Sequence, residues 1–201
     1  DIDICHLENE EFGKWVGGRY GGNGAICHYG ASLYDVGCDH HLRFMWYDYY
    51  LNGNLRTREV AHEYMKGHAG LREEGPGVDY AHRHTGGGLR LFSEAYEATW
   101  DPEYLSCMHQ YADVMYRARE ELGHLRYDDA YMNMGKIRYY QLTGDERMLD
   151  LFMNDMNTLT TYRDGHYYSD SRASTMMSLS HAYWFTADPK YLRFAMWQVD
   201  I

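Results

Sequence analysis

Four stretches of the chain share one pattern of apolar and polar positions: "YYLNGNLRTREV" from Tyr49, "YEATWDPEYLSCM" from Tyr96, "YYQLTGDERMLDLF" from Tyr139 and "YWFTADPKYLRFAM" from Tyr183. In each, an apolar run stops at a polar turn and a second run begins. After the turn, Leu105, Met108, Ala112 and Met115 recur at steps of three and four, and Leu149, Phe152, Met156 and Leu159 repeat them in the same phase. That spacing predicts helices with one buried face. Before the turns, "LRFMWYDYYL", "LRLFSEAYEA", "MGKIRYYQL" and "MMSLSHAYWF" carry apolar or aromatic residues on nearly every face. A helix of that kind is enclosed by others.

The turn residues Asn54, Asp101, Asp145 and Asp188 follow one another at spacings of 47, 44 and 43. A period of this size marks one supersecondary unit repeated. Asp or Asn caps a helix N-terminus, and Pro102 and Pro189 fall at the first helical position, where a missing N–H costs nothing. Each unit therefore reads as an enclosed inner helix, a short turn and an amphipathic outer helix, which makes the chain all-α with four tandem helical hairpins. The outer helix after Asn54 matches the pattern least well.

Longer links with Gly and charged residues, such as Gly67 to Asp79 and Thr161 to Asp170, join each outer helix to the next inner one. Short loops collect at one end of the array and long loops at the other, and long loops on a rigid scaffold usually carry function. Residues 1–30, with "GGRYGGNGAICHYG", form an irregular or strand-like Gly-rich segment, and 31–201 read as one helical domain.

Composition narrows this picture. At 201 residues and 45% hydrophobic, the chain can bury the core of one domain. It opens at Asp1 and stops at Ile201 inside a helical pattern, as part of a longer polypeptide would. Its apolar stretches are short and broken by charges, so none reads as a membrane span. The formal charge of -11 speaks against nucleic acid as a partner. Cys5, Cys27, Cys38 and Cys107 make no CxxC pair and read as buried thiols. The 21 tyrosines and five tryptophans supply flat apolar faces with polar tips, suited either to packing between helices or to stacking on a polar ring.

Candidate chemistry gathers where the inner helices begin. The first unit brings Tyr34, Asp35, Asp39, His40 and His41 there, followed by Trp46; the second brings Tyr80, His82, Arg83 and His84. The third brings Arg126, Tyr127, Asp128 and Asp129, and the fourth Tyr167, Tyr168, Asp170 and Arg172. Every unit thus places tyrosine with His, Arg or Asp at the long-loop rim, although Asp39, Asp128 and Asp170 also suit helix caps. "HRHTGGG" from His82 is either a flexible loop or a helix start where glycines let a backbone or an anion come close. No Walker, GxGxxG or GxSxG motif is present, and "HEYMK" from His62 lacks the second His of HExxH. His40 and His41 point about 100° apart at ~3.6 residues per turn, so a divalent metal would take one of them with His82 or His84. No other cofactor is called for.

"YDVGCDHHLRFMWYDYYLNGN" together with "DYAHRHTGG" resembles (α/α)-toroid polysaccharide lyases of the heparinase-like and exo-rhamnogalacturonan-lyase-like kind. Four hairpins are fewer than a six-hairpin toroid needs. The resemblance implies a secreted or periplasmic enzyme that cleaves a uronic-acid-containing polysaccharide or oligosaccharide by β-elimination. It implies His40 or His84 as neutraliser or base, Tyr34 or Tyr80 as base or acid, and Arg83 and Arg172 as carboxylate clamps. Asp35, Asp39, His41, Trp46, His82, Asp128 and Asp129 would complete the substrate site. The chain's acidity is a point against an anionic substrate. Two alternatives stay open: a glycoside hydrolase using two of Asp35, Asp39, Asp128 and Asp129 roughly 5 to 9.5 Å apart, and a non-catalytic helical-repeat module that binds protein or glycan.

Overall fold

The computed structural model describes residues 43–71, 83–122, 130–161 and 172–199. These residues form eight helices: α1 Arg43–Asn52, α2 Leu55–Leu71, α3 Arg83–Thr99, α4 Pro102–Leu122, α5 Ala130–Thr143, α6 Glu146–Thr161, α7 Arg172–Thr186 and α8 Pro189–Val199. They pair as four hairpins in the order the sequence predicts, and no strand occurs among the described residues. The chain is all-α.

One local device builds all four turns. The residue between the helices takes a left-handed conformation, with φ of 69° at Gly53, 56° at Trp100, 69° at Gly144 and 55° at Ala187. Its N–H bonds back to the carbonyl of a tyrosine four residues earlier: Tyr49, Tyr96, Tyr140 and Tyr183 in turn, at 2.6 to 2.9 Å. This closes the inner helix on its last free carbonyls. The next residue caps the outer helix: the Oδ1 of Asp101, Asp145 and Asp188 accepts the N–H of Glu103, Arg147 and Lys190 at 2.9 to 3.1 Å. Asn54 does the same for Thr57 at 3.2 Å. In the last three turns a threonine, Thr99, Thr143 or Thr186, hydroxyl-bonds its own helix and accepts the aspartate N–H.

The inner helices α1, α3, α5 and α7 lie side by side and run the same way. Arg43 meets Glu94 and Tyr50 meets Ala98; Gly86 meets Met132 and Glu97 meets Arg138; the C-terminal ends of α5 and α7 meet through Tyr140 and Phe185. The α3–α5 contact is closest. A Cβ on Gly86 would stand 2.2 Å from the Met132 Cα, and one on Gly135 2.5 Å from the Gly86 carbonyl oxygen. Only glycine fits a contact of backbone on backbone. The "HTGGG" run is therefore helix from Arg83 onward, and it admits a neighbouring helix rather than forming a flexible loop.

Two apolar cores flank α5 and α6. Met132, Tyr139, Met148 and Leu151 join the core shared with α1 to α4, whereas Ile137, Phe152, Met156 and Leu159 join the one shared with α7 and α8. A helix that buries opposite faces needs apolar residues all round, which is how α5 reads in sequence. Between its faces lies a buried ion pair, Lys136 with Asp155 of α6, and Asn133 accepts from the Lys136 Nζ at 3.4 Å.

Two expectations change. Full enclosure holds for α3 and α5 but not for the end helices, where Phe44, Tyr47 and Leu51 on α1 and Met177, Tyr183 and Trp184 on α7 are exposed. Enclosure depends on a neighbour on each side, and within the described residues α1 and α7 have an inner-helix neighbour on one side. The outer helix after Asn54 forms despite its weaker pattern, with Val60, Ala61 and Met65 buried. It runs to Leu71, so Gly67 is helical and the link begins later than predicted. Cys107 is buried as expected, and the lead-in 1–30 as well as Cys5, Cys27 and Cys38 lie outside the described residues.

Candidate functional site

Helical spacing sets one face of α1 against one face of α3. Arg43, Trp46, Tyr47 and Tyr50 follow at steps of three, one and three, and Glu94, Glu97 and Ala98 at steps of three and one. Residues so spaced share a helix face. Together these seven line a cleft of about 200 Å³.

Its floor is polar and incompletely paired. Glu94 is 4% exposed, yet its Oε1 accepts from Arg90 Nε at 3.0 Å and faces Arg43 Nε at 3.9 Å. The other oxygen, Oε2, has no hydrogen-bond partner among the described residues. Neither has the indole Nε1 of Trp46, a residue 3% exposed whose ring stands edge-on to His62 at 5.3 Å. A buried polar atom left so costs about 1 to 3 kcal/mol. Glu97 pairs with Arg138 of α5, and Arg138 Nε is buried without a partner among the described residues. The wall is aromatic. Tyr50 donates its hydroxyl to the Ala98 carbonyl, which fixes its ring, and the exposed Tyr47 lies under the Arg43 guanidinium at 5.9 Å.

The larger groove between α6 and α8, about 780 Å³, differs in that its Asn157 is already engaged. Asn157 Oδ1 accepts from both Lys190 Nζ and the Tyr191 hydroxyl at 2.8 Å. Elsewhere, tyrosines lock helices together: Tyr104 with His62 and Tyr139 with His109 at 2.8 Å, and Tyr116 with Asp145 at 3.0 Å. Burial first, then nearby carboxylates, pushes the Tyr139 hydroxyl up to about 12 and raises those of Tyr104 and Tyr116 as well. Phenols held neutral in this way are structural hydrogen-bonding groups and poor bases. The Arg147 guanidinium holds the Asp145 carboxyl below its usual range.

The sequence-predicted residues divide three ways. Tyr34, Asp35, Asp39, His40, His41, Tyr80, His82, Asp128 and Asp129 lie outside the described residues. Arg83 and His84 open α3 and Arg172 opens α7, as helix-start residues should. Trp46 lines the cleft from the buried side. Among the described residues no group of three or more metal-ligating side chains comes together. No described helix is long and apolar enough to cross a membrane. Sequence reasoning missed Glu94 and Glu97. Their signal was present: two carboxylates on an inner helix, the first an i,i+4 partner of Arg90.

Comparisons with protein-family models, with curated proteins and with solved structures find no match for this chain.

Proposed function

We propose that this chain is part of an (α/α)-toroid carbohydrate-active enzyme, a polysaccharide lyase that cleaves a uronic-acid-containing polymer by β-elimination. The observation that carries the reading is the common direction of the inner helices. Parallel inner helices bring their first turns to one end of the row, the end at which the sequence concentrates Tyr, His, Arg and Asp. Arg83, His84 and Arg172 fall in those first turns.

In such a reaction a base takes the proton α to the uronate carboxylate, negative charge builds on that carboxylate, the C–O bond to the leaving sugar breaks, and a C=C bond forms. An acid returns a proton to the departing oxygen. Arginine suits the carboxylate through its bidentate fork, and it stabilises the charge where that charge develops. Arg83 and Arg172 take that role, His40 or His84 neutralises or abstracts, and Tyr34 or Tyr80 serves the proton steps.

The test is ultraviolet absorbance of the unsaturated product, measured with the longest native polypeptide on a panel of uronate polysaccharides. A rise that disappears in His40→Ala and His84→Ala supports the lyase. New reducing ends without that absorbance, dependent on Asp35 or Asp128, replace it with a hydrolase. Glycan binding without any cleavage makes the chain a binding module.

A further inference from the structure

We propose that two copies of this chain associate head to tail, the α7–α8 face of one seated on the α1 side of the other, so that the row of hairpins continues across the junction. The inference rests on the repeat and does not depend on the carbohydrate reading.

The same positions, counted from the turn residues Asn54, Asp101, Asp145 and Asp188, join each hairpin to the next. Four positions before the turn, Tyr50 donates to the Ala98 carbonyl of the second hairpin and Glu97 pairs with Arg138 of the third. Eight positions after it, His62 bonds Tyr104 and His109 bonds Tyr139, each again in the following hairpin. In the third hairpin, Met134, Leu149 and Met153 pack against the core shared with α7 and α8, and the Tyr140 ring meets Phe185. One period of 43 residues later each of these recurs as the same residue type, at Met177, Leu192, Met196 and Tyr183. There they are exposed, Met196 by 67%, and so is Trp184, at the position of Tyr50 and Glu97, by 69%. The fourth hairpin thus repeats the face by which the third holds it. A terminal repeat normally ends on a polar outer face, and this one does not.

The opposite end of the chain carries the matching side. Three positions before the turn, Phe185 meets Tyr140 of the preceding hairpin, the Ala98 carbonyl receives Tyr50, and Leu142 packs against the first core. The first hairpin has Leu51 there, 80% exposed, with the exposed Phe44 seven positions earlier on the same stripe of α1. A second copy set one repeat further along would bring its Leu51 to Tyr183 as Phe185 comes to Tyr140. The junction between copies therefore continues the junctions inside the chain. It is a heterologous contact, which leaves one free face at each end of the pair, so further copies can add. Each copy carries a formal charge of -11, so copies repel at long range and the attraction comes from apolar burial.

The experiment is sedimentation equilibrium of the native chain over a range of protein and salt concentrations. The average mass is expected to rise above that of the monomer as concentration increases, and more steeply in high salt, which screens the repulsion. Met196→Glu, at an exposed position, is expected to weaken association about tenfold or more with an unchanged circular dichroism spectrum, and Leu51→Glu to do the same from the other end. Each variant keeps one intact face, so an equimolar mixture of the two should form a dimer and stop there. A monomer at every concentration overturns the proposal. Association blocked by Met196→Glu but not by Leu51→Glu also overturns it, since two α7–α8 faces would then be meeting each other. So does a longer native polypeptide that stays monomeric with a hairpin of its own on this face. Unsaturated product is read separately and bears on the lyase alone.

Discussion

Helix α3 has two neighbours in its row and meets them in opposite ways. Toward α5 it presents Gly86, and the backbones come so close that a single methyl group would strike the Met132 Cα. Toward α1 it presents Glu94 against Trp46, Tyr47 and Tyr50, and a gap of about 200 Å³ remains. The smallest residues close their interface and the largest leave theirs open. Bulky side chains hold helices apart, and charged ones must keep their own partners, so the space between them is not filled by size alone. One face of α3 is built for adhesion and the other retains unpaired buried groups.

Substitutions probe this difference, beginning with the largest effect. Gly86→Ala puts a methyl against backbone that no side-chain rotation relieves, and a loss of about 4 kcal/mol or more is expected in urea unfolding. A loss under about 0.5 kcal/mol would show that the helices are not in backbone contact. Asp155→Ala leaves Lys136 buried without its partner, with an expected cost of about 3 kcal/mol. The double change Asp155→Leu with Lys136→Met should recover most of it, since an apolar pair has no charge to desolvate.

Smaller effects concern pH and the turns. The raised hydroxyls of Tyr104, Tyr116 and Tyr139 keep their protons in the folded chain after the unfolded chain has lost them. The native state then binds more protons, so stability is full below pH 10.0 and falls as pH rises from there through about 12. Thermal unfolding across that range should show the decline, and Tyr139→Phe should make it shallower. Ala187→Gly relieves a left-handed backbone at a position where two other turns use glycine, for an expected gain of roughly 0.5 to 1 kcal/mol. Its melting temperature should rise; a fall would mean that the unfolded chain's added freedom outweighs the strain.

Much of the fold was legible because its signals are local. The caps at Asp101, Asp145 and Asp188, the prolines at the start of α4 and α8, and the buried stripe from Met108 to Met115 each depend on residues within a few positions of one another. The exposed faces of α1 and α7 were not legible, because their composition matches that of α3 and only neighbours decide enclosure. The cleft was hidden for a similar reason. Tyr50 and Ala98 are 48 positions apart, and no pattern within either helix says that they touch. The glycines were legible in part: the sequence left open a flexible loop or a helix start that admits a backbone or an anion, and it is the backbone of α5 that approaches.

The hairpin α5–α6 contributes side chains to both cores. In a linear array, where each unit is stabilised by contact with the next, such a shared unit couples the two halves: it cannot melt without removing support from each. Opening then starts at the terminal hairpins and travels inward, and the amides of α5 exchange last. The described helices are thus expected to unfold as one cooperative block with loosened ends, and the α1–α3 cleft lies toward one of those ends.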